Sequence, residues 1–462
     1  MEKSHATPTV KGLPVLGNTV PMYYQLPQFL TRCYSEYGPV FRVRALNNRY
    51  VVLAGPDAAM FVGSAEGREC LESKPSWSRM IAEYGADKSV VSDDGDLHTW
   101  FRDLMRHGYS RHALDGRYDR LIEIIDDWLA DGWQPGSVVP AVKSVQRIVI
   151  RQISIAVADR VFFDDVDQLR TLVHWSTNVC LLGRWPTFML KLPRYRSAKA
   201  RMHAIAQELL TVFRARSDDG QIDDFGRRLL DDLVEANRTH PEKMTDYELP
   251  LNLFVPFMAG LDTASNTIST ILYLLTQRPD LYETVTAEAD RLFALPELNE
   301  EALFEATPVL NAVLKETMRL YPSVPVLMRH ARTDFVYKGH PIRAGERVMI
   351  ATSVPHFMPS FFPDPHLFDP GRYLDGRKEH LQPGAYSPFG RGHHLCMGKR
   401  IAEVIIPLTV ARIVHQRRFT VSDDNFSLTD NFAYGVDLAL NLNLGVDGVR
   451  CAHLVSSGQP NQ

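Results

Sequence analysis

Apolar and polar positions alternate along GPVFRVRALNNRYVVLA, residues 38–54, on both sides of Asn47-Asn48. That period of two predicts a β-hairpin turning at the two asparagines. From Glu72 to Asp96 the pattern is weak and polar and ends in SDDGD, which predicts a long loop. LHTWFRDLMRHGYS follows with helical period, and His98 and Arg102, four apart, share one face. Residues 118–240 carry long helical periodicities with charged outer faces. Within them CLLGRWPTFMLKLPRYR, 180–196, is apolar and aromatic and is interrupted by Pro186 and Pro193.

The most apolar run is LPLNLFVPFMAGLDTASNTISTILYLLTQ, 249–277. Asp262 at its middle, with Asn252, Thr263, Ser265 and Asn266, argues against a membrane span. A helix buried in the core is the expectation, kinked before its centre by Pro256. In NAVLKETMRLYPSVPVLMRHA, Glu316 and Arg319 are three apart on a helix and can pair. Strand and hairpin patterns follow in DFVYKGHPIRAGERVMIA and in FSLTDNFAYGVDLALNLNL, whose turn carries Phe432 and Tyr434. The chain reads as mainly α with small β-sheets.

Composition narrows the class. Of 462 residues, 45% are hydrophobic and 23% charged, an ordinary globular balance. A net charge of −4 disfavours a nucleic-acid binder. Five scattered cysteines, Cys33, Cys70, Cys180, Cys396 and Cys451, form no disulfide framework and fit a reducing cytosol. MEKSHATPTVKGLPVLGN has no apolar signal region and no spanning helix, so a soluble, cytoplasmic protein is expected, unless an anchor has been trimmed.

Two stretches carry chemistry. SPFGRGHHLCMGKRIA, 387–402, sets Cys396 among Gly390, Gly392 and Gly398, immediately before an amphipathic run. A helix starting there would aim its N–H groups at the sulfur and favour the thiolate. A lone cysteine is also commonly a small buried hydrophobe. His393, His394 and Cys396 are too closely spaced for a zinc site. In the second stretch, Ala259-Gly260 remove bulk where something must approach the helix, and Asp262 and Thr263 set an acid and an alcohol at that gap. A threonine bonding back to its i−4 carbonyl opens room for water, as in a proton relay.

Phe389, Gly392, His394, Cys396 and Gly398, read as F-x-x-G-x-[R/H]-x-C-x-G, resemble the haem-binding signature of the cytochrome P-450 superfamily. Ala259 to Thr263 resembles its oxygen-activating A-G-x-D-T motif, Glu316 and Arg319 its E-x-x-R, and Arg372 in FDPGRYL the third member of that buried network. LPVLGN and the H-T-x-x-R of His98 and Arg102 are similar to other family segments. One departure is Ile405, where a carboxylate often stands nine residues past the cysteine, with Glu403 nearby.

The resemblance spans the whole chain and implies one haem-thiolate domain, 1–462. Its β-rich part would lie at about 38–60, its helical bulk at about 98–320, and its Cys loop and last hairpin at about 380–445. It implies haem b as cofactor, with Cys396 as the iron ligand and Phe389, Pro388, Gly390, Gly398, Ala402, Ala259 and Gly260 around the ring. His98, Arg102, Arg329 and His394 would answer the two haem carboxylates, a dianion that could not be buried unpaired. Asp262 and Thr263 would be catalytic, and Glu316, Arg319 and Arg372 structural.

The implied activity is a soluble bacterial-type monooxygenase. It would use dioxygen and two electrons from a separate donor, such as a ferredoxin and its NAD(P)H-dependent reductase, to hydroxylate a hydrophobic small molecule (lipid, steroid, terpene or similar). Residues 180–196 resemble the roof over the family's substrate pocket, although a packed helix–helix connection has the same pattern. Trp185, Phe188, Met189, Leu192, Val255, Met258, Val324, Val326 and Phe432 would line that pocket. Arg102, Arg106, Arg391, Lys399 and Arg400 would form a basic face for an acidic electron donor. A peroxide-driven haem-thiolate enzyme and a non-enzymatic haem sensor are the alternatives, and the Asp262-Thr263 pair argues against both. A sterol 14-demethylase is disfavoured, since that subgroup carries His where Asp262 stands.

Overall fold

The computed structural model describes residues 6–161, 165–218, 228–374, 376–423, 425–428 and 442–450. Among these, helices carry most of the chain and three small sheets lie at its margins. In the largest sheet the strands are β1 (Val40–Ala45), β2 (Asn48–Ala54), β3 (Leu71–Glu72), β4 (Leu327–Ala331) and β5 (Arg347–Ala351), in spatial order β1-β2-β5-β4-β3.

The first hairpin turns one residue earlier than the sequence suggests. Ala45 pairs with Asn48, so Leu46 and Asn47 form the connection, and Leu46 takes a left-handed φ of 51°. Two strands distant in sequence, Arg417–Val421 and Asn443–Val449, pair antiparallel in a second sheet.

Seven helices set the geometry that matters here. They are α1 (Lys74–Glu83), α2 (Gly95–Met105), α3 (Ala141–Ala158), α4 (Val166–Ser176), α5 (Leu249–Thr276), α6 (Pro308–Leu320) and α7 (Lys399–Gln416).

Helix α1 corrects the loop expected over 72–96. Its first-turn N–H groups at Ser73 and Lys74 are met by Asp94 Oδ2, at 2.7 and 3.4 Å. A cap supplied from 20 residues downstream leaves no trace in the local pattern. Asn252 of α5 pins the following segment, accepting from Val90 N and donating to Lys88 O.

Helix α5 runs for 28 residues, about 42 Å at 1.5 Å per residue. It is apolar on all sides and buried on nearly all of them, as such a helix must be. Pro256 lies inside it without ending it, since its missing N–H removes only one ladder bond. Between Leu251 and Leu272, only Met258, Ala259, Gly260 and Thr263 escape burial.

Those four positions do not all open the same way. A Cβ built on Gly260 would stand 2.3 Å from Ile153 Cδ1 of α3. The glycine therefore lets α3 and α5 close on each other, and the open side of α5 is the side of Ala259 and Thr263.

Helix propensity alone favours Ala over Gly by about 1 kcal/mol in a helix interior. Here Gly260→Ala is expected to yield no such gain, because Ile153 must yield. In an Ile153→Ala background the same change should stabilise by roughly 1 kcal/mol. Urea denaturation of the four proteins measures this coupling, and additive effects would contradict the packing described.

Candidate active site

The Cys loop is built by its own backbone. Cys396 N–H donates to Phe389 O (3.0 Å), Leu395 N–H to Gly392 O (3.0 Å) and Gly390 N–H to Ser387 O (3.1 Å). Gly390 and Gly392 have φ of 73° and 74°, which other residues resist. At Gly392 a Cβ would also meet Val62 O at 2.7 Å, so that position admits no side chain.

Gly398 caps α7, and the backbone N–H groups of Gly398 and Lys399 favour the Cys396 thiolate. Burial pushes the thiol up and outweighs these N–H groups and the Arg102 charge, which pull it down. The sulfur is crowded by protein, yet the residue is solvent-accessible.

Beside the loop sits a cluster of bases. His98 is buried and stacks on His394, with centroids 4.0 Å apart, and His393 meets it edge-on at 6.2 Å. Burial first, then the charges of His394 and Arg102, hold the His98 imidazole down at about 3, so it is neutral. His394 Nε2 lies 3.0 Å from both Asp94 Oδ1 and Ser73 Oγ. A carboxylate only accepts, so Nε2 carries the proton. Arg102 Nη1 donates to Leu395 O at 2.7 Å.

Arg329 on β4 is buried and donates to Met328 O, while no described carboxylate pairs with it. Burial lowers its pKa to about 10, with Asp94 partly opposing.

On α5, Thr263 Oγ1 donates to Ala259 O (2.8 Å), its i−4 carbonyl. Thr263 O in turn accepts from Thr267 and from Ser323. Asp262 faces the other way and is buried. Its Oδ1 accepts from Gln146 Nε2 of α3 (2.8 Å), and its Oδ2 lies 2.9 Å from His174 Nε2 of α4. Neither partner was expected. Gln146 and His174 lie 116 and 88 residues from Asp262 in ordinary amphipathic helices, where nothing marks them.

Glu316, Arg319 and Arg372 meet in full burial. Arg319 grips Glu316 with two bonds, Nε to Oε2 (2.7 Å) and Nη2 to Oε1 (2.8 Å). Arg372 Nε reaches Glu316 Oε1 at 3.3 Å and its Nη1 reaches Glu379 at 3.0 Å. Two cations thus meet two carboxylates, and Tyr373 OH and Asp369 N–H donate to the remaining lone pairs of Glu316.

His356, which the sequence reading missed, carries this cluster to the Cys loop. Its Nδ1 donates to Arg319 O (3.1 Å) and its Nε2 accepts from Ser387 N–H (3.0 Å). Ser387 Oγ then accepts from Arg391 Nε at 2.6 Å.

The proposed pocket residues are less tightly gathered. Val255 is buried, Trp185, Met189, Met258 and Val326 are half-buried, and Leu192, Val324 and Phe188 are exposed. Trp185 packs edge-on against Trp175, with centroids 6.0 Å apart. Residues 180–196 are part π-helix and part 3₁₀-helix (Thr177–Leu181, Thr187–Lys191), with Pro193 opening the next helix. Phe432 and Tyr434 lie outside the described residues.

Of the basic face, Arg102 and Arg391 turn inward to the Cys loop, and Arg106, Lys399 and Arg400 each have a carboxylate within 4 Å. Pro388, Phe389, Gly390 and Ala402 are half-buried around Cys396, and Lys399 Nζ lies 5.9 Å from the Phe389 ring centre.

Both His356 contacts require the neutral imidazole, and burial holds its pKa at about 3. An exposed histidine titrates near 6.5, so between about 3 and 6.5 the unfolded chain binds a proton that the native state refuses. Stability from this group is complete above that window and is lost as pH falls through it. Wild-type stability should therefore depend on pH more steeply than that of His356→Gln, by up to about 1.4 kcal/mol per pH unit. Urea titrations from pH 4 to 7 check this, and parallel curves would contradict the buried neutral role.

Comparison with known proteins gives this arrangement its family. A family model described as Cytochrome P450 matches residues 7–439. "Putative cytochrome P450 136" of Mycobacterium tuberculosis is 26% identical over 424 residues, covering 90% of this chain and 83% of that protein. "Cyclooctat-9-en-7-ol 5-monooxygenase" of Streptomyces melanosporofaciens is 26% identical over 442 residues, covering 90% of each. The solved structure "Retinoic acid bound cyanobacterial CYP120A1" superposes with a TM-score of 0.75 over 96% of this chain and 99% of that one, at 23% identity, a likeness of fold. The chain belongs to the cytochrome P450 family, a haem-dependent one, and is a cytochrome P450 monooxygenase.

Proposed function

We propose that the chain binds haem b with Cys396 as iron ligand and uses dioxygen and two electrons from a separate protein to hydroxylate an apolar small molecule. The observation that carries this reading is on α5. A gap at Ala259 and Thr263 interrupts an otherwise buried helix, with the Thr263 hydroxyl in the gap and the Asp262 carboxylate directly behind it.

The residues present suit the cofactor. Arg329 is a buried cation with no described carboxylate partner, a costly arrangement that an arriving carboxylate would relieve. His98 and Arg102 stand beside the same loop, and His394 offers its second ring nitrogen while Nε2 serves Asp94. The Cys396 sulfur, whose thiolate two backbone N–H groups already favour, would give up its proton on binding metal. When bound, haem supplies the dioxygen-activating chemistry, and a thiolate ligand favours O–O cleavage.

The chain's own part is to move protons and exclude water. Thr263 Oγ1 can release Ala259 O and donate into the gap. Asp262, held by Gln146 and His174 on the far side, would swing from them toward that hydroxyl to hand over a proton and recover one through the half-buried His174 on its return. Trp185, Met189, Val255, Met258, Val324 and Val326 would give the substrate an apolar surrounding. Relatives named "Taxane 10-beta-hydroxylase" of Taxus cuspidata and "Abscisic acid 8'-hydroxylase 2" of Oryza sativa subsp. indica favour a terpene-like skeleton among the apolar classes. The electrons would come from a ferredoxin with its NAD(P)H-dependent reductase, because no flavin or iron–sulfur motif stands in the sequence.

Thr263→Ala should uncouple the reaction. Reductant consumption should continue while peroxide release rises and product per electron falls, by about tenfold or more. Parallel assays of reductant, peroxide and product measure this. Unchanged coupling would assign the proton to another group.

A further inference from the structure

Helix α1 is fastened at both ends, and the two fastenings serve different parts of the site. At its C-terminal end Glu83 Oε1 accepts from Lys199 Nζ (2.8 Å) and from Tyr195 OH (3.2 Å). The next residue, Tyr84, is buried, and its OH lies 2.5 Å from Ser176 Oγ. Ser176 ends α4, and Tyr195 and Lys199 lie on the helix that Pro193 opens. Between them runs the segment that carries Trp185 and Met189. Trp175 binds this side together, stacked on Tyr195 (6.1 Å between centroids) and edge-on to Trp185.

At its N-terminal end α1 meets the Cys loop. Asp94 Oδ2 accepts from the N–H groups of Ser73 and Lys74, while Asp94 Oδ1 and Ser73 Oγ both face His394 Nε2. Asp94 also stands immediately before α2, whose His98 stacks on His394. Ser76 Oγ lies 3.1 Å from Nδ1 of His330, which follows Arg329 on β4. Lys74 Nζ reaches Asp87 and Asp93 and draws the 84–94 connection onto the helix. His394, His98 and Arg329 thus all lie next to one end of α1.

Between the two ends are ten residues, about 15 Å of helix. The helix has no glycine, its one proline is in the first turn, and Met80 and Ile81 are buried beneath it. With no kink-forming residue in its interior, it moves as one body.

We propose that α1 is a strut through which the segment carrying Trp185 and Met189 sets the His394 ring at the haem edge, with Ser73 and Asp94 as positioning residues. The proposal rests on the haem reading above. An imidazole gripped at Nε2 has the direction of its Nδ1 fixed. A shift of the 176–199 side would therefore reach a group that faces a haem carboxylate, by a route that touches neither the iron nor the pocket. Hydrogen bonding around a haem is one of the levers on its reduction potential, so the strut has a measurable output.

Two cuts test it. Glu83→Gln with Tyr84→Phe frees the far end. Ser73→Ala with Asp94→Asn frees the end at His394, and the new amide oxygen can still cap α1. Midpoint potentials are compared for the wild-type holoenzyme, each cut and both together. The far-end cut should shift the potential when the other end is intact and leave it unchanged when the other end is cut, because a severed strut carries nothing. Equal shifts in both backgrounds, or no shift in either, would overturn the proposal.

Should the cut at Ser73 and Asp94 shed haem, hydrogen exchange of the far-end variant decides instead. Its Leu395 and Cys396 amides, which close the Cys loop, should exchange faster than in the wild type by about tenfold, and unchanged exchange would overturn the proposal. The red-shifted Soret band of the reduced, carbon monoxide-bound form separates the two levels. Its absence from the wild type would overturn the haem reading and this proposal together, whereas its presence without the coupling would overturn this proposal alone.

Discussion

The arrangement around Cys396 depends on one buried cluster of charge. Glu316, Arg319 and Arg372 are almost wholly removed from water, and Glu379 makes the cluster neutral. Removing charges from water costs several kcal/mol per ion, so such a group persists only with near-complete hydrogen bonding. Here Glu316 accepts from two arginines, a tyrosine and a backbone N–H, and the arginines spend their other donors on carbonyls of residues 356, 364, 365 and 367. Those carbonyls belong to the irregular segment that leads to the Cys loop. Loss of one member would leave charge buried unpaired, at roughly 3–5 kcal/mol.

His356 converts that stability into position. Its two ring nitrogens bond one to α6 and one to the start of the Cys loop, so the loop is registered against the helix by a rigid, neutral ring. Helix α5, buried along most of its length, opens at Ala259 and Thr263, while Gly260 keeps α3 close behind. Asp262 is held from two further helices, so the acid's place depends on how α3, α4 and α5 pack rather than on α5 alone.

Much of this was legible in the sequence because it is local. The alternation at 38–54, the mostly apolar run at 249–277 and the three-residue spacing of Glu316 and Arg319 are short-range signals, and each yields the element expected. What escaped was long-range. Asp94 caps α1 from 20 residues away, His356 joins elements 37 residues from Arg319, and Gln146 and His174 reach Asp262 across the core. Gly260 was assigned to the gap, but its missing side chain serves packing against Ile153. No periodicity encodes such meetings.

The role of Cys396 carries the largest consequence, and one spectrum addresses it. With Cys396 as the iron's thiolate ligand, the reduced, carbon monoxide-bound wild type must show the red-shifted Soret band of a haem-thiolate. Cys396→Ser must lose that band even where it retains haem. The same red-shifted band in Cys396→Ser would show that another group holds the iron.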